Sequence, residues 1–505
     1  MTYPERQPTL LGIDLGTSSV KILITDARGT PISQAEATYP VLYPDPVQAE
    51  SRPGDWWLAI TTAVGDALRN APDTVVAGIG LSGQMHGVVL VDDGFVPVSN
   101  AILWADARAV DQLTTYRTLP APVRQRLANP LGPGMAGPIL GWMVQHQPRT
   151  IDQTRWALQP KDWVRAQLTD TVATEPSDAS ATLLYDLHQD CRDLDVAAAL
   201  GLDPTVLAPI LPAAGSLAGH LTDSAARQLG LVPGIPVAAG GGDTAVAALG
   251  SGLFTPGSVQ LTIGTGAQLV TPVDKPPEGR RDAGANGWTE PITHLYRAAT
   301  TAGWYRMAAV LNGGLALNWA RQILGVSWAE LYAAAAQPGR ADDPLFLPHL
   351  NGERTPYLDA TLRGAWVGLG PRHTRADLLR AALEGVAFAI KDAYLALFPD
   401  SGHHDSQLRL AGGGTTATAW RQLLADVLDV TLQAVDIPAA SGRGAAMLGG
   451  LGAGQLSEPQ LLAELAPTLA HAAIPDPGRA TYYDDRHAQF LTTVTQLRAV
   501  GSGDP

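Results

Sequence analysis

The chain has 505 residues, 46% hydrophobic and 16% charged, enough apolar surface for two or three folded domains. Its formal net charge of −14 argues against a nucleic-acid surface and leaves any bound anion to local N–H donors or a metal ion. One cysteine, Cys191, excludes an intrachain disulfide framework and a cysteine-cluster zinc site. No apolar run reaches the ~18 residues of a membrane span, and residues 1–8 show no secretory pattern, so a cytoplasmic protein is the expectation.

Residues 10–15 form a short apolar run that enters Gly16-Thr17-Ser18-Ser19 and continues as 20–25 before the turn Asp26-Ala27-Arg28-Gly29. This predicts strand, tight polar turn, strand. Such a turn aims several N–H and O–H donors at one point, as a phosphate requires. Asp14 at the strand end is placed to hold Mg²⁺ through water. An ordinary hairpin capped by its own hydroxyls is the alternative. A helix is expected over 56–70. Gly78-Ile-Gly80-Leu-Ser-Gly83 has the spacing of a dinucleotide fingerprint, but a β-rich run follows where a helix should begin, which rejects a dehydrogenase.

Further on, Gly240-Gly241-Gly242 precede Asp243-Thr244. Three glycines admit another group close to the backbone. Asp243 then either accepts a proton from a substrate hydroxyl or caps the helix that follows. Residues 259–263 run into Gly264-Thr265-Gly266 and on to 268–270, echoing the first hairpin about half a chain away. That is one duplicated plan rather than a short repeat array. Helices are expected over 304–324, 375–397 and 418–428, the last preceded by Gly412-Gly413-Gly414, a loop that lets a nucleotide approach a helix start. His403-His404-Asp405 reads as a polar loop rather than a metal site. None of the four lysines, Lys21, Lys161, Lys275 and Lys391, precedes Ser or Thr, so there is no Walker A sequence, and no protein-kinase loop is present. Alternating strands and helices give an α/β class.

From about Leu10 to about Thr492 the chain resembles the FGGY carbohydrate kinases. The resemblance lies in Gly-Ile-Asp-Leu-Gly-Thr-Ser-Ser-Val-Lys (12–21), Ser-Gly-Gln-Met-His-Gly (82–87), Ala-Ile-Leu-Trp-Ala-Asp-Ala-Arg (101–108) and Pro-Lys-Asp-Trp (160–163). It continues in Gly-Gly-Gly-Asp-Thr-Ala (240–245), Gly-Thr-Gly (264–266), Phe-Leu-Pro-His-Leu-Asn-Gly-Glu-Arg-Thr-Pro (346–356) and Gly-Gly-Gly (412–414).

The resemblance implies the two-domain fold of actin, hexokinase and Hsp70. An N-terminal domain (9–249) and a C-terminal domain (250–495), each with a ribonuclease H-like core, would face each other across an active-site cleft. It implies ATP as phosphoryl donor with Mg²⁺ near Asp14. Thr17, Ser18, Lys21, Gly264 and Thr265 would meet the phosphates, with Gly313, Gly414 and Thr418 around the rest of the nucleotide. Asp243 would be the general base. Met85 and His86 contact the sugar in members that act on D-xylulose, and Trp104 and Asp106 are expected to line the same pocket, so D-xylulose is the expected acceptor. Ribulose, gluconate or a tetritol is the alternative within the family, and an ATPase switch of the actin–Hsp70 type the alternative outside it. Ile139 stands where relatives often carry Lys. The implied partners are a small-molecule sugar and ATP, with no nucleic acid and no membrane; the resemblance leaves a homodimer open.

Overall fold

The computed structural model describes residues 8–276, 289–398 and 407–501; His403-His404-Asp405 lies outside them. The chain folds as two mixed seven-stranded sheets with helices against their faces. In the first sheet Pro8–Leu15 and Ser19–Thr25 pair antiparallel from Leu10↔Thr25 to Leu15↔Val20, and Pro31–Thr38 extends the meander. Val75–Gly83 lies parallel on the other side of Pro8–Leu15, followed by Pro236–Ala238 and the edge strand Leu217–His220. The central strand is covered on both faces, which is why its sequence is a continuous apolar run rather than an alternation.

The second sheet repeats this order. Val259–Ile263 and Ala267–Val273 form the hairpin, Trp304–Val310 is the third strand, and Gln407–Ala411 and Thr431–Val435 follow in parallel on the far side. In both sheets an antiparallel hairpin carries a further antiparallel strand on one side and parallel strands on the other, with His294–Arg297 and Leu469–Ala473 added at the edges of the second, and the half-chain echo is a duplicated ribonuclease H-like plan. The expected helix 304–324 is corrected: Trp304–Val310 is a strand, and only Gly314–Ile323 is helical. The seven residues Trp-Tyr-Arg-Met-Ala-Ala-Val pair throughout with Ala267–Val273. Short apolar runs do not reveal their period, and the break at Gly313-Gly314 is where the helix starts.

Gly78 and Gly80 lie inside the strand Val75–Gly83, so the rejected fingerprint belongs to a sheet. Their function is close packing. A Cβ at Gly80 would collide with the carbonyl of Ala445, one at Gly12 with that of Gly442, and one at Gly78 with that of Gly449. The helix Ala440–Gly452, from the far end of the chain, thus lies backbone-to-backbone on the first sheet. It also crosses the helix Asp243–Gly250, where a Cβ at Gly250 would strike Ala440 and one at Gly444 would strike Val246. Around this crossing Met85, Val246, Leu249, Tyr296, Tyr305 and Met447 share one buried cluster that spans both halves. Among the described residues, no helix is long and apolar enough to cross a membrane.

Candidate active site

The strand Val75–Gly83 assembles two carboxylates. Its Ser82 pairs with Asp14 on one side and with Gly241 on the other. Asp14 and the residue after Gly242, Asp243, are therefore delivered to the same end of the sheet. Ser82 Oγ donates to Asp14 Oδ1 at 2.8 Å. Burial raises the Asp14 pKa, with the Ser82 bond and the Lys21 charge opposing. Asp243 is the first residue of its helix, and Gly242 holds the cap position. Its Oδ1 accepts from Thr244 Oγ1 at 3.2 Å. Burial first, and the Asp14 charge second, push the Asp243 pKa up to about 6. The side chain keeps partial access to solvent, so it is both desolvated and reachable.

A buried platform carries this loop. Gly242 N–H donates to Ser177 Oγ at 3.1 Å, and Ser177 Oγ donates to Glu175 Oε1 at 2.8 Å. Arg165 Nη1 donates to Ala239 O at 3.1 Å and to Asp162 Oδ1 at 2.8 Å. Lys161, with no exposed surface, pairs with Asp162 at 2.7 Å, Asp178 at 3.3 Å and Glu175 at 3.5 Å. Five ionisable groups out of water are costly unless mutually paired, and their pairing fixes the backbone that presents Asp243.

Met85 and His86 form the adjoining wall. Gly242 rests on Met85, whose Sδ lies 3.8 Å from the Tyr305 hydroxyl. His86 adopts φ 73°, a left-handed conformation uncommon for a residue with a Cβ. Its Nδ1 lies 2.8 Å from Ala181 O. A carbonyl only accepts, so Nδ1 carries the proton. Burial lowers the His86 pKa to about 4, with the Arg354 charge adding to it, so the ring is neutral near pH 7 and Nε2 offers a lone pair. Trp104, 38% exposed, donates from Nε1 to Thr17 Oγ1 at 3.0 Å and so steadies the first hairpin. The expectation for Asp106 is corrected. Its carboxylate is buried and spent on Ala49 N–H (2.7 Å), Arg108 N–H (2.9 Å) and the Arg108 guanidinium (2.8 Å), a brace rather than a pocket wall. Ile139 is fully buried in the apolar cluster with Leu140 and Leu184.

The hairpin at 16–19 is pinned by Tyr39 OH and Gln84 Nε2, which donate to Gly16 O at 2.6 Å and 3.0 Å. Ser18 and Lys21 are exposed, with Lys21 directly across the ladder from Asp14. In the second half a cavity of about 590 Å³ is lined by Gly264, Thr265, Gly314, Asn318, Trp328, Tyr332, Gly413 and Gly414, among others. Gly314 N–H donates to Gly264 O at 3.0 Å and Leu315 N–H to Thr265 O at 2.8 Å, which joins a helix start to the second hairpin. A Cβ at Gly264 or Gly413 would meet nothing within 4 Å, so their backbone faces open space. Gly313 sits behind the wall, packed on the Gly266 backbone, and Thr418 is exposed outside the lining residues. Trp328 and Tyr332 stack with ring centroids 5.5 Å apart. The sequence reading missed them, although Ser327-x-x-Glu330, a capping box, marks their helix. It also missed Ser82, Tyr39 and Arg354.

Among the described residues, no group of three or more His, Cys, Asp or Glu could hold a metal alone. Asp14 supplies one carboxylate, and a nucleotide phosphate with water would have to complete the shell. That donor set fits Mg²⁺, which keeps several waters and binds through one or two carboxylates plus phosphate.

Two duplicated halves, a glycine-walled cavity on one side and paired carboxylates on the other define a two-domain carbohydrate-kinase fold. The chain belongs to the FGGY family of carbohydrate kinases, whose N-terminal domain matches residues 9–250 and whose C-terminal domain matches 262–453. It is 34% identical to a xylulose kinase of Staphylococcus epidermidis over 88% of both chains. It is 26% identical to a gluconokinase of Bacillus subtilis over 92% of both. The crystal structure of a xyloylose kinase from Brucella ovis superposes with a TM-score of 0.88 at 30% identity, over 97% of this chain and all of that one.

Proposed function

We propose that the protein transfers the γ-phosphoryl group of ATP to the terminal hydroxyl of D-xylulose, giving D-xylulose 5-phosphate. The observation that carries this reading is Asp243, desolvated to a pKa of about 6, beside Met85 and a neutral His86. A base is most effective when its pKa lies near the working pH. Asp243 takes the proton of the sugar hydroxyl as the new P–O bond forms, and His86 Nε2 accepts a hydrogen bond from another sugar hydroxyl. Thr17, Ser18, Lys21, Gly264 and Thr265 line the phosphate path, and Trp328 and Tyr332 receive the base. Asp14 would hold Mg²⁺, which when bound would supply positive charge to the phosphate oxygens. Closure of the two halves excludes water as a competing acceptor.

Gluconate is the second reading, favoured by the similarity to the Bacillus subtilis gluconokinase. A sugar-stimulated ADP-release assay over ketoses, polyols and aldonates tests both. D-Xylulose should give the highest kcat/KM. A preference for gluconate would transfer the assignment, and ADP release indifferent to every carbohydrate would remove it.

A further inference from the structure

Arg354 enters the cleft from the second half. Its backbone is fixed by the buried carboxylate of Glu353, which accepts from Arg354 N–H at 2.9 Å, Leu311 N–H at 2.7 Å and Asn312 Nδ2 at 3.3 Å. Leu311 and Asn312 lead directly into the Gly313-Gly314 turn beside the glycine-walled cavity. One carboxylate thus ties the Arg354 backbone to that wall.

The Arg354 side chain points the other way. Its guanidinium carbon lies 5.7 Å from the centroid of Trp104, whose N–H holds Thr17 of the first hairpin. Among the described residues the guanidinium has no hydrogen-bonded or ion-paired partner. The groups it influences include His86, His294 and Tyr296, none of them an anion near pH 7, while the Glu353 carboxylate that also acts on it is already engaged by backbone N–H groups. Burial works against its charge, with Tyr296 and Glu353 opposing. Arg354 is nonetheless itself exposed, so its guanidinium is free to meet an anion that enters the cleft, and its planar fork suits phosphate oxygens better than any hydroxyl. D-Xylulose is neutral, so the anions of the proposed reaction are the nucleotide phosphates and the phosphoryl group in transfer.

We propose that Arg354 binds the phosphoryl group as the halves close, offsetting its charge during transfer and holding the phosphate of the product. This rests on the sugar-kinase reading above. The bond from the sugar oxygen to phosphorus forms as the bond to the ADP oxygen breaks, the hydroxyl proton goes to Asp243, and Arg354 exchanges none.

The test measures binding and turnover separately, with Arg354→Gln and Arg354→Lys. By calorimetry Arg354→Gln should lose about 10–100-fold in affinity for D-xylulose 5-phosphate while D-xylulose binding stays unchanged. Its kcat should fall about 10²–10³-fold, and Arg354→Lys should recover part of both. Thermal denaturation checks that the variants fold. Equal losses for sugar and sugar phosphate, or an unchanged kcat, would overturn the proposal. Failure of the unaltered protein to bind either compound would instead overturn the sugar-kinase reading, and this inference with it.

Discussion

Replacing Asp243 by Asn should make the protein more stable and nearly inactive. The carboxyl pKa stands at about 6 against an ordinary 3.8. Each unit is worth about 1.4 kcal/mol, so the ionised form costs the folded state at most about 3 kcal/mol. Partial solvent access reduces this to about 1–2 kcal/mol. The carboxylate also favours the helix N-terminus by about 0.5 kcal/mol, which Asn gives up. The net gain is about 1 kcal/mol, or about 1 °C in Tm for a chain of this length. Its sign follows from a raised folded pKa: the wild type loses stability as pH rises through about 6, so the advantage of Asn is full near pH 8 and about half as large near pH 5. Urea midpoints and Tm at those two pH values read it directly. In the same preparation kcat should drop about 10²–10⁴-fold. An Asn variant no more stable than the wild type at pH 8, or one whose advantage over the wild type grows on acidification, would refute the desolvation argument. Near-normal turnover would refute the role as base.

His86→Ala should raise KM for the sugar about tenfold and leave KM for ATP unchanged; the reverse pattern in steady-state kinetics would move the sugar site. Trp328→Ala should raise KM for ATP about tenfold, since stacking on a base is worth about 1–3 kcal/mol, with sugar binding by calorimetry unaffected. Gly80→Ala should lower the urea midpoint by the equivalent of about 1–3 kcal/mol, because its Cβ would meet the Ala445 carbonyl; an unchanged midpoint would count against the tight helix–sheet contact.

What could be read from the sequence follows the range of the interactions concerned. Both hairpins were legible because turn chemistry is local: Gly16-Thr17 and Gly264-Thr265 sit between apolar runs, and each run pairs with its neighbour. The duplicated plan followed from their spacing. Trp304–Val310 was misread because a short, mostly apolar run interrupted by Arg306 ahead of a helix carries no clear period of its own. Asp106 was misplaced because a matching segment locates a residue without saying where its carboxyl points, and Arg108, two residues on, claims it. Arg354 and Trp104 stand 250 positions apart in the chain, and nothing local to either reports the other. Gly78 and Gly80 looked like a failed cofactor motif, whereas the reason for them lies in a helix at 440–452.

That helix has a consequence for synthesis. Newly made chains ordinarily fold domain by domain as they leave the ribosome. Here the glycine-rich face of Pro8–Leu15 and Val75–Gly83 has no cover until residues 440–452 emerge, long after its own strands are made. The early half must wait, incomplete and exposed, for the late half to hand it a part, so a nascent chain truncated anywhere before residue 440 should be a client for chaperones rather than a free-standing domain.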